Sequence, residues 1–201
     1  MLRFRALHPI DFQHRNDSVR RFFVILAAVL PLAVLASACN DATGFGNASI
    51  TADSSVVLRS ASSAIDGPSA VDARGLILVS PERPEAAGQW DFALRQNGNT
   101  FSLVSAPAGI SSGFARAGLR RSTETFERIE EAPRRRSEYS EEPTVLAEGA
   151  SYTFRSRQYA TQFSTCFNYG KLAVVKLDPA AGTATLAMAV NDNCDDARLT
   201  D

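Results

Sequence analysis

The chain of 201 residues has the length of one domain with short appendages. Hydrophobic residues make up 45% and charged residues 21%, which is typical of a globular protein and excludes a wholly disordered chain. The net charge of −1 gives no electrostatic basis for nucleic-acid binding, and three cysteines are too few for a disulfide-dense small domain.

The N-terminal segment, residues 1–38, has the pattern of an export signal. Residues 1–21 are basic, residues 22–35 are apolar and uncharged, and the small residues 36–38 lead to Cys39. A basic flank, an apolar run and a small-residue cleavage site together indicate a secretory signal peptide.

The route of export stays open. Arg20 and Arg21 fit either a twin-arginine signal or the ordinary basic flank of an apolar run. An uncleaved anchor is disfavoured, because the run is shorter than the ~20 residues that span a bilayer and contains Pro31.

Cys39 follows Leu-Ala-Ser-Ala, which resembles the lipobox of bacterial lipoproteins. In that family the cysteine is acylated and becomes the first mature residue. Lipidation of Cys39 would leave Cys166 and Cys194 as an even pair in an oxidising compartment. Residues 36–38 also fit the A-x-A site of an ordinary signal peptidase, which would leave a secreted protein with a thiol at Cys39.

Residues 39–49 are small and polar after the cysteine, so we expect a lipidated N-terminus and a flexible tether to a domain at 50–201. The lipobox resemblance implies a bilayer partner through Cys39 and a place in the cell envelope, periplasmic or surface-exposed. Asn40 after the cysteine is compatible with sorting to the outer membrane in that family.

The mature chain is predicted to be all-β. Short apolar or alternating runs recur between turn residues, and Asn97-Gly98 is a strong two-residue hairpin signal. About nine short strands favour a single antiparallel β-sandwich or a flattened barrel. The predicted strands span residues 54–59, 75–80, 89–95, 100–105, 144–148, 151–157, 161–167, 171–177 and 183–190.

The segment 117–143 interrupts this pattern with many charges. We predict a solvated loop, with a possible short helix over residues 123–132 that ends before Pro133. The three arginines at 134–136 lie too close to the acidic residues of 138–142 to indicate an anionic partner.

The C-terminal strands are predicted to form a hairpin with Leu177 opposite Thr183. This register places one apolar face toward the core, which is formed by Leu172, Val174, Leu186, Met188 and Val190. The opposed pairs are then Leu172 with Met188, Ala173 with Ala187, Val174 with Leu186 and Val175 with Thr185.

The same register places Cys166 opposite Cys194, which predicts a disulfide. A slip at Gly170 or a bulge would break this agreement. The alternative is a reactive cysteine pair, which lacks a nearby histidine and C-x-x-C spacing.

Catalytic and metal sites are not predicted. Residues 109–113 match the G-x-S-x-G motif, but the serine needs a histidine base, and His8 and His14 both precede the mature chain. Zinc chemistry lacks its ligands for the same reason. A carboxylate-based hydrolase is the remaining enzyme alternative, although no acidic pair stands out.

Two blocks resemble the HmuY-type haem-binding lipoproteins. Residues 88–95, Gly-Gln-Trp-Asp-Phe-Ala-Leu-Arg, precede a glycine-containing segment at 108–113 as in that family. Residues 169–175 and 182–186 resemble its C-terminal hairpin, and residues 152–155 fit another of its strands. The resemblance implies an all-β lipoprotein that faces the outside of the cell.

Haem is not carried over from this resemblance. The best-known members hold haem with two histidines, and the mature chain has none, so we predict no cofactor. The aromatic residues Trp90, Tyr152 and Tyr169 are the ligand-binding candidates, and core packing is the alternative for each.

The sequence therefore predicts an anchored, non-catalytic binding domain for an unidentified small molecule or envelope component. The alternative is a structural or accessory lipoprotein of an envelope complex without a small ligand. A pocket lined by aromatic residues would favour the first, and a broad exposed apolar patch the second.

Overall fold

The structure is a computed structural model whose described residues lie between Asn47 and Thr200. The predicted signal peptide, Cys39 and the serine motif at 109–113 lie outside the described residues. The described ranges are 47–61, 67–107 and 115–200.

The described chain is all-β, as predicted, and has twelve strands. No helix among these residues has the length and apolar composition needed to span a membrane. The strands are β1 Ile50–Arg59, β2 Ala70–Asp72, β3 Ile77–Val79, β4 Phe92–Asn97, β5 Thr100–Ser105, β6 Gly118–Arg121, β7 Thr144–Val145, β8 Ser151–Arg155, β9 Tyr159–Ala160, β10 Thr165–Cys166, β11 Tyr169–Asp178 and β12 Thr183–Asn191.

Two five-stranded antiparallel sheets form a sandwich. The first sheet has the strand order β1-β12-β11-β8-β6, and the second has the order β3-β2-β4-β5-β7. Strands β9 and β10 form a separate hairpin. The sandwich prediction is confirmed and the barrel alternative is wrong, since the two sheets are not joined edge to edge by strand pairing.

The main core fills the space between the two inner faces. Alternation along each strand turns every second side chain inward, which buries residues such as Leu94, Leu103 and Leu186 almost completely. Phe92 of the second sheet meets Phe154 of the first edge to face, with ring centroids 5.8 Å apart. Each such buried side chain contributes about 1.5–3 kcal/mol of transfer free energy.

The predicted C-terminal hairpin is confirmed over most of its length. Leu172 pairs with Met188 and Val174 pairs with Leu186, and all five predicted core residues are buried. The register then shifts at a bulge after Val174, so that Lys176 rather than Val175 faces Thr185. The predicted pairs Val175 with Thr185 and Leu177 with Thr183 are therefore wrong, because the extra residue leaves Val175 55% exposed and unpaired.

The disulfide is confirmed between Cys166 and Cys194, whose Cα atoms lie 5.4 Å apart. Cys194 follows β12 rather than lying within it, so the pair is not part of the ladder. Closing a separation of 28 residues contributes about 3–4 kcal/mol in the chain-entropy description.

The charged segment differs from its prediction. Residues 123–132 contain one 3-10 turn, Phe126–Arg128, and no α-helix. The chain after this turn is extended, because it pairs with the C-terminal residues: Ala132 N donates to Ala197 O at 2.8 Å and Leu199 N donates to Glu130 O at 2.7 Å. A partner distant in sequence thus overrides the local helical pattern.

The same segment is not wholly solvated. It contributes strand β6 and three of the six buried residues of a second apolar cluster. Burial of these side chains holds the segment against the end of the first sheet. The cluster consists of Ile129, Ala132, Tyr139, Tyr169, Ala197 and Leu199.

Gly170 is required where β11 passes under the Phe154 ring. A Cβ atom there would overlap the Phe154 ring and lie 2.5 Å from the Ala189 carbonyl oxygen. Because Phe154 packs against Phe92 across the core, it has little room to move away.

We expect Gly170→Ala to lower the free energy of unfolding by about 2–3 kcal/mol or more through overpacking. Urea unfolding followed by circular dichroism measures this change. The control is Gly98→Asn in the exposed β4–β5 turn, where φ is 58° and a Cβ atom meets nothing within 4 Å. Equal stability of the two variants would contradict the predicted overlap.

Candidate functional site

A buried ionic cluster lies where the two sheets meet. Asp91 immediately precedes β4 and Asp72 ends β2, so both carboxylates belong to the second sheet. Arg157 follows β8 of the first sheet by two residues. All three residues are at most 6% exposed, so their charges have to be stabilised by ion pairs and hydrogen bonds within the protein rather than by water.

The Asp91 carboxylate is enclosed by N–H donors. Its Oδ2 accepts from Ala73 N at 2.7 Å, and its Oδ1 accepts from Arg157 N at 2.6 Å. The Arg157 Nη1 atom lies 3.0 Å from Asp91 Oδ2. Asp91 has no exposed surface, and its carboxylate fixes the backbone of both sheets at once.

Asp72 carries the cluster toward the surface. Its Oδ2 accepts from Arg157 Nη2 at 3.1 Å and from Arg74 Nη2 at 2.9 Å. The Arg74 guanidinium stacks on the Tyr159 ring, 4.6 Å from its centroid, which adds a cation–π contact. The Tyr159 hydroxyl donates to Asn168 Oδ1 at 2.8 Å. The cluster therefore extends from the core to the β9–β10 hairpin.

The pKa values of the two carboxylates are shifted in opposite directions. Burial raises the pKa of Asp91 from 3.8 to about 6, although the Arg157 charge and the backbone donors act against this rise. Burial also acts to raise the pKa of Asp72, but the Arg74 hydrogen bonds and the Arg157 charge outweigh it, and the pKa of Asp72 falls below 3.8.

This pair of carboxylates does not form an accessible acid–base pair. A glycosidase-type mechanism needs both carboxyl groups beside a bound substrate. Asp91 is fully buried, and both of its oxygens already accept hydrogen bonds from protein N–H groups. The arrangement joins the sheets, and it offers no substrate a path to Asp91.

A groove lies on the opposite, outer face of the second sheet. Val79, Ala70, Ala93 and Val104 follow one another across four strands, since each is the register partner of the next. Small side chains leave this row shallow, and Trp90 packs against Ala70 and Ala93 at its side. Trp90 is the single tryptophan of the chain and is 8% exposed.

The groove has a volume of about 330 Å³, at the lower end of the range for small-molecule sites. Arg95 and Glu82 line it together with Trp90 and Gln96. Glu82 Oε1 accepts a hydrogen bond from Ser69 Oγ at 3.2 Å, whereas Arg95 has no ion pair among the described residues. An apolar floor thus carries one cation and one carboxylate at its rim.

The three aromatic candidates do not come together. Trp90 lines the groove. Tyr152 lies in the main core and donates its hydroxyl hydrogen to Val145 O at 3.1 Å. Tyr169 lies in the second apolar cluster and donates to Arg134 O at 3.1 Å. These contacts agree with core packing for both tyrosines.

Sequence reasoning missed the residues that matter most. Asp91 is visible only as the neighbour of Trp90, and Arg157 ends a predicted strand with no pattern that marks burial. Arg95 and Glu82 look like ordinary surface charges. Only an acidic residue inside an apolar strand, as at Asp91, could have signalled a buried ion pair.

One group of metal-ligand atoms is close enough to hold an ion in the described part of the chain: Cys166, Cys194 and Asp195. The two sulfurs are already joined in the disulfide, so they offer no thiolate to a metal. The disulfide bond therefore accounts for the short distances within this group.

Comparison of the chain with protein-family models, with curated proteins and with solved structures finds no match.

We expect the stability advantage of the wild type over Asp91→Asn to shrink as the pH rises from about 4 to 7. The folded pKa of Asp91 lies above the ordinary value of 3.8, so the folded state binds more protons between pH 4 and 6 and loses stability as the proton leaves. Asp72 acts oppositely, because its lowered pKa gives stability above pH 3.8 that is lost in acid. Asp72 is present in both proteins, so subtraction removes most of its effect.

Urea unfolding of the two proteins at pH 4, 5, 6 and 7, at constant ionic strength, measures this difference. A difference that stays constant or grows with pH would contradict the raised pKa of Asp91.

Proposed function

We propose that the chain is an exported, lipid-anchored and non-catalytic binding domain of the bacterial cell envelope. The signal-peptide pattern and the lipobox-like sequence before Cys39 support export and anchoring. The groove beside Trp90 supports binding, and it is the observation that carries the functional part of the proposal.

The groove suits a small ligand with one apolar face and a polar edge. Ala93 and Val104 supply an apolar floor, and Trp90 supplies an aromatic wall. Arg95 can donate several hydrogen bonds, and Glu82 can accept them. Their opposite charges favour a neutral or zwitterionic ligand over a strongly charged one.

The second candidate is an accessory lipoprotein of an envelope complex. The observation that favours it is the exposure of apolar side chains on both edge strands of the second sheet. Ile77 of β3 is 58% exposed and Val145 of β7 is 61% exposed. Exposed edges of this kind can pair with or pack against another protein.

Native mass spectrometry of protein extracted in mild detergent without reductant tests anchoring. We expect a chain that begins at Cys39, carries acyl mass and is lighter by two hydrogen atoms because of the Cys166–Cys194 disulfide. An unlipidated chain in the soluble fraction would contradict the proposal and leave a secreted protein with a thiol at Cys39.

The same spectra test the groove through any bound mass that accompanies the protein. We expect this mass in the wild type, and Arg95→Gln should weaken its binding about tenfold or more by removing a charged donor. The matched control is Arg120→Gln, because Arg120 lies exposed on β6 of the other sheet. If no bound mass accompanies the wild type, or if both variants retain that mass equally, ligand binding in the groove is contradicted. The accessory role would then be favoured.

A further inference from the structure

Phe163 is 90% exposed, the highest value among the large apolar side chains that the structure describes as exposed. It lies at the turn of the β9–β10 hairpin, which is separate from both sheets. A phenylalanine ring that stays in water at a turn gains free energy when an apolar surrounding covers it.

The hairpin holds Phe163 outward by specific contacts. Thr161 N donates to Ser164 O at 2.7 Å, and Ser164 N donates to Thr161 Oγ1 at 3.0 Å, which closes the turn. The disulfide from Cys166 to Cys194 and the contacts of Tyr159 hold the base of the hairpin. The exposure of Phe163 is therefore a property of the fold.

The tip is free of charge. Residues 160–165, Ala-Thr-Gln-Phe-Ser-Thr, are all exposed and contain no acidic or basic side chain. An uncharged tip can enter the headgroup region of a bilayer without desolvating an ion, and its phenylalanine gains by leaving water.

The hairpin also lies where the chain from Cys39 joins the domain. Asn193 Nδ2 donates to Asn47 O at 3.1 Å, and Asp192 N donates to Ser49 O at 2.7 Å. The next residue after Asn193 is Cys194, which is bonded to Cys166 at the base of the hairpin. The tether and the Phe163 tip thus leave the domain from neighbouring positions.

The tether length limits how far the domain can stand from its anchor. Eight residue steps separate Cys39 from Asn47, and a fully extended chain of that length spans at most about 28 Å. The tip extends only a few residues beyond the Cys166–Cys194 bond. A bilayer that holds Cys39 is therefore within reach of Phe163.

We propose that the Phe163 tip inserts into the surface of the bilayer that holds Cys39, as a second contact beside the lipid. This inference rests on the proposed lipidation of Cys39. Two contacts at one end of the domain set its orientation, with the β11–β12 turn directed away from the membrane.

The test uses the lipidated protein in phosphatidylcholine vesicles, with Phe163→Trp in a Trp90→Phe background as the single tryptophan. We expect blue-shifted emission that is quenched by brominated phosphatidylcholine. The matched control is Val175→Trp in the same background, because Val175 is 55% exposed in the half of β11 nearer the β11–β12 turn. Its emission is expected to stay unquenched.

If Trp90→Phe impairs folding, the comparison is made with Trp90 retained, as the difference between each variant and its parent. If the protein is lipidated and bound to vesicles but its Phe163→Trp emission is unquenched, the insertion of the tip is overturned while the anchoring stands. A protein partner would then be the remaining occupant of the tip. Equal quenching of both probes would also overturn it. An unlipidated protein that does not float with vesicles, yet contains a correct mass from residue 39, would overturn the proposed anchoring itself.

Discussion

The ion pairs of Arg157 with Asp72 and Asp91 are the interaction on which the arrangement of this domain depends. Arg157 continues a strand of the first sheet, and both carboxylates belong to the second. Buried charges are tolerated only when they are paired and hydrogen-bonded, so the two sheets have to meet in the geometry that satisfies all three groups. The hydrophobic effect between the sheets, by contrast, is non-directional.

The groove beside Trp90 and the Phe163 tip are both connected to this cluster through a few residues or contacts. Trp90 precedes Asp91, so the carboxylate that anchors the start of β4 also fixes the wall of the groove. Arg157 leads within two residues into β9, and Arg74 connects Asp72 to the Tyr159 ring at the base of the hairpin. A single buried network thus positions the groove beside Trp90 on one face and the exposed Phe163 at one end.

Local patterns made part of this structure predictable. The β11–β12 register from Leu172 to Val174 could be predicted because alternation and a turn signal act over a few residues. Extending that register predicted the Cys166–Cys194 disulfide, although the two cysteines lie outside the paired residues. The alternation of residue types along β11 gives no indication of the bulge after Val174. The extended residues 129–132 depend on pairing with residues 197–199, which local propensity cannot reveal. The Trp90 candidate lines the groove, but Arg95 and Glu82 could not be distinguished from surface charges.

A double-mutant cycle between Asp91 and Arg157 tests the central role of the buried pair most directly. The free energy of unfolding is measured in urea at pH 7 for the wild type, Asp91→Leu, Arg157→Met and the double variant. Among the described residues, Arg157→Met removes the only side-chain cation that contacts Asp91, and Asp91→Leu leaves Arg157 with Asp72 as its one remaining carboxylate. Each single change breaks a buried ion pair and should cost about 3–5 kcal/mol. The double variant should be more stable than the sum predicts, by at least about 2 kcal/mol of interaction energy. Additive losses of unfolding free energy would contradict the account, because they would mean that the two charges contribute to stability independently of each other.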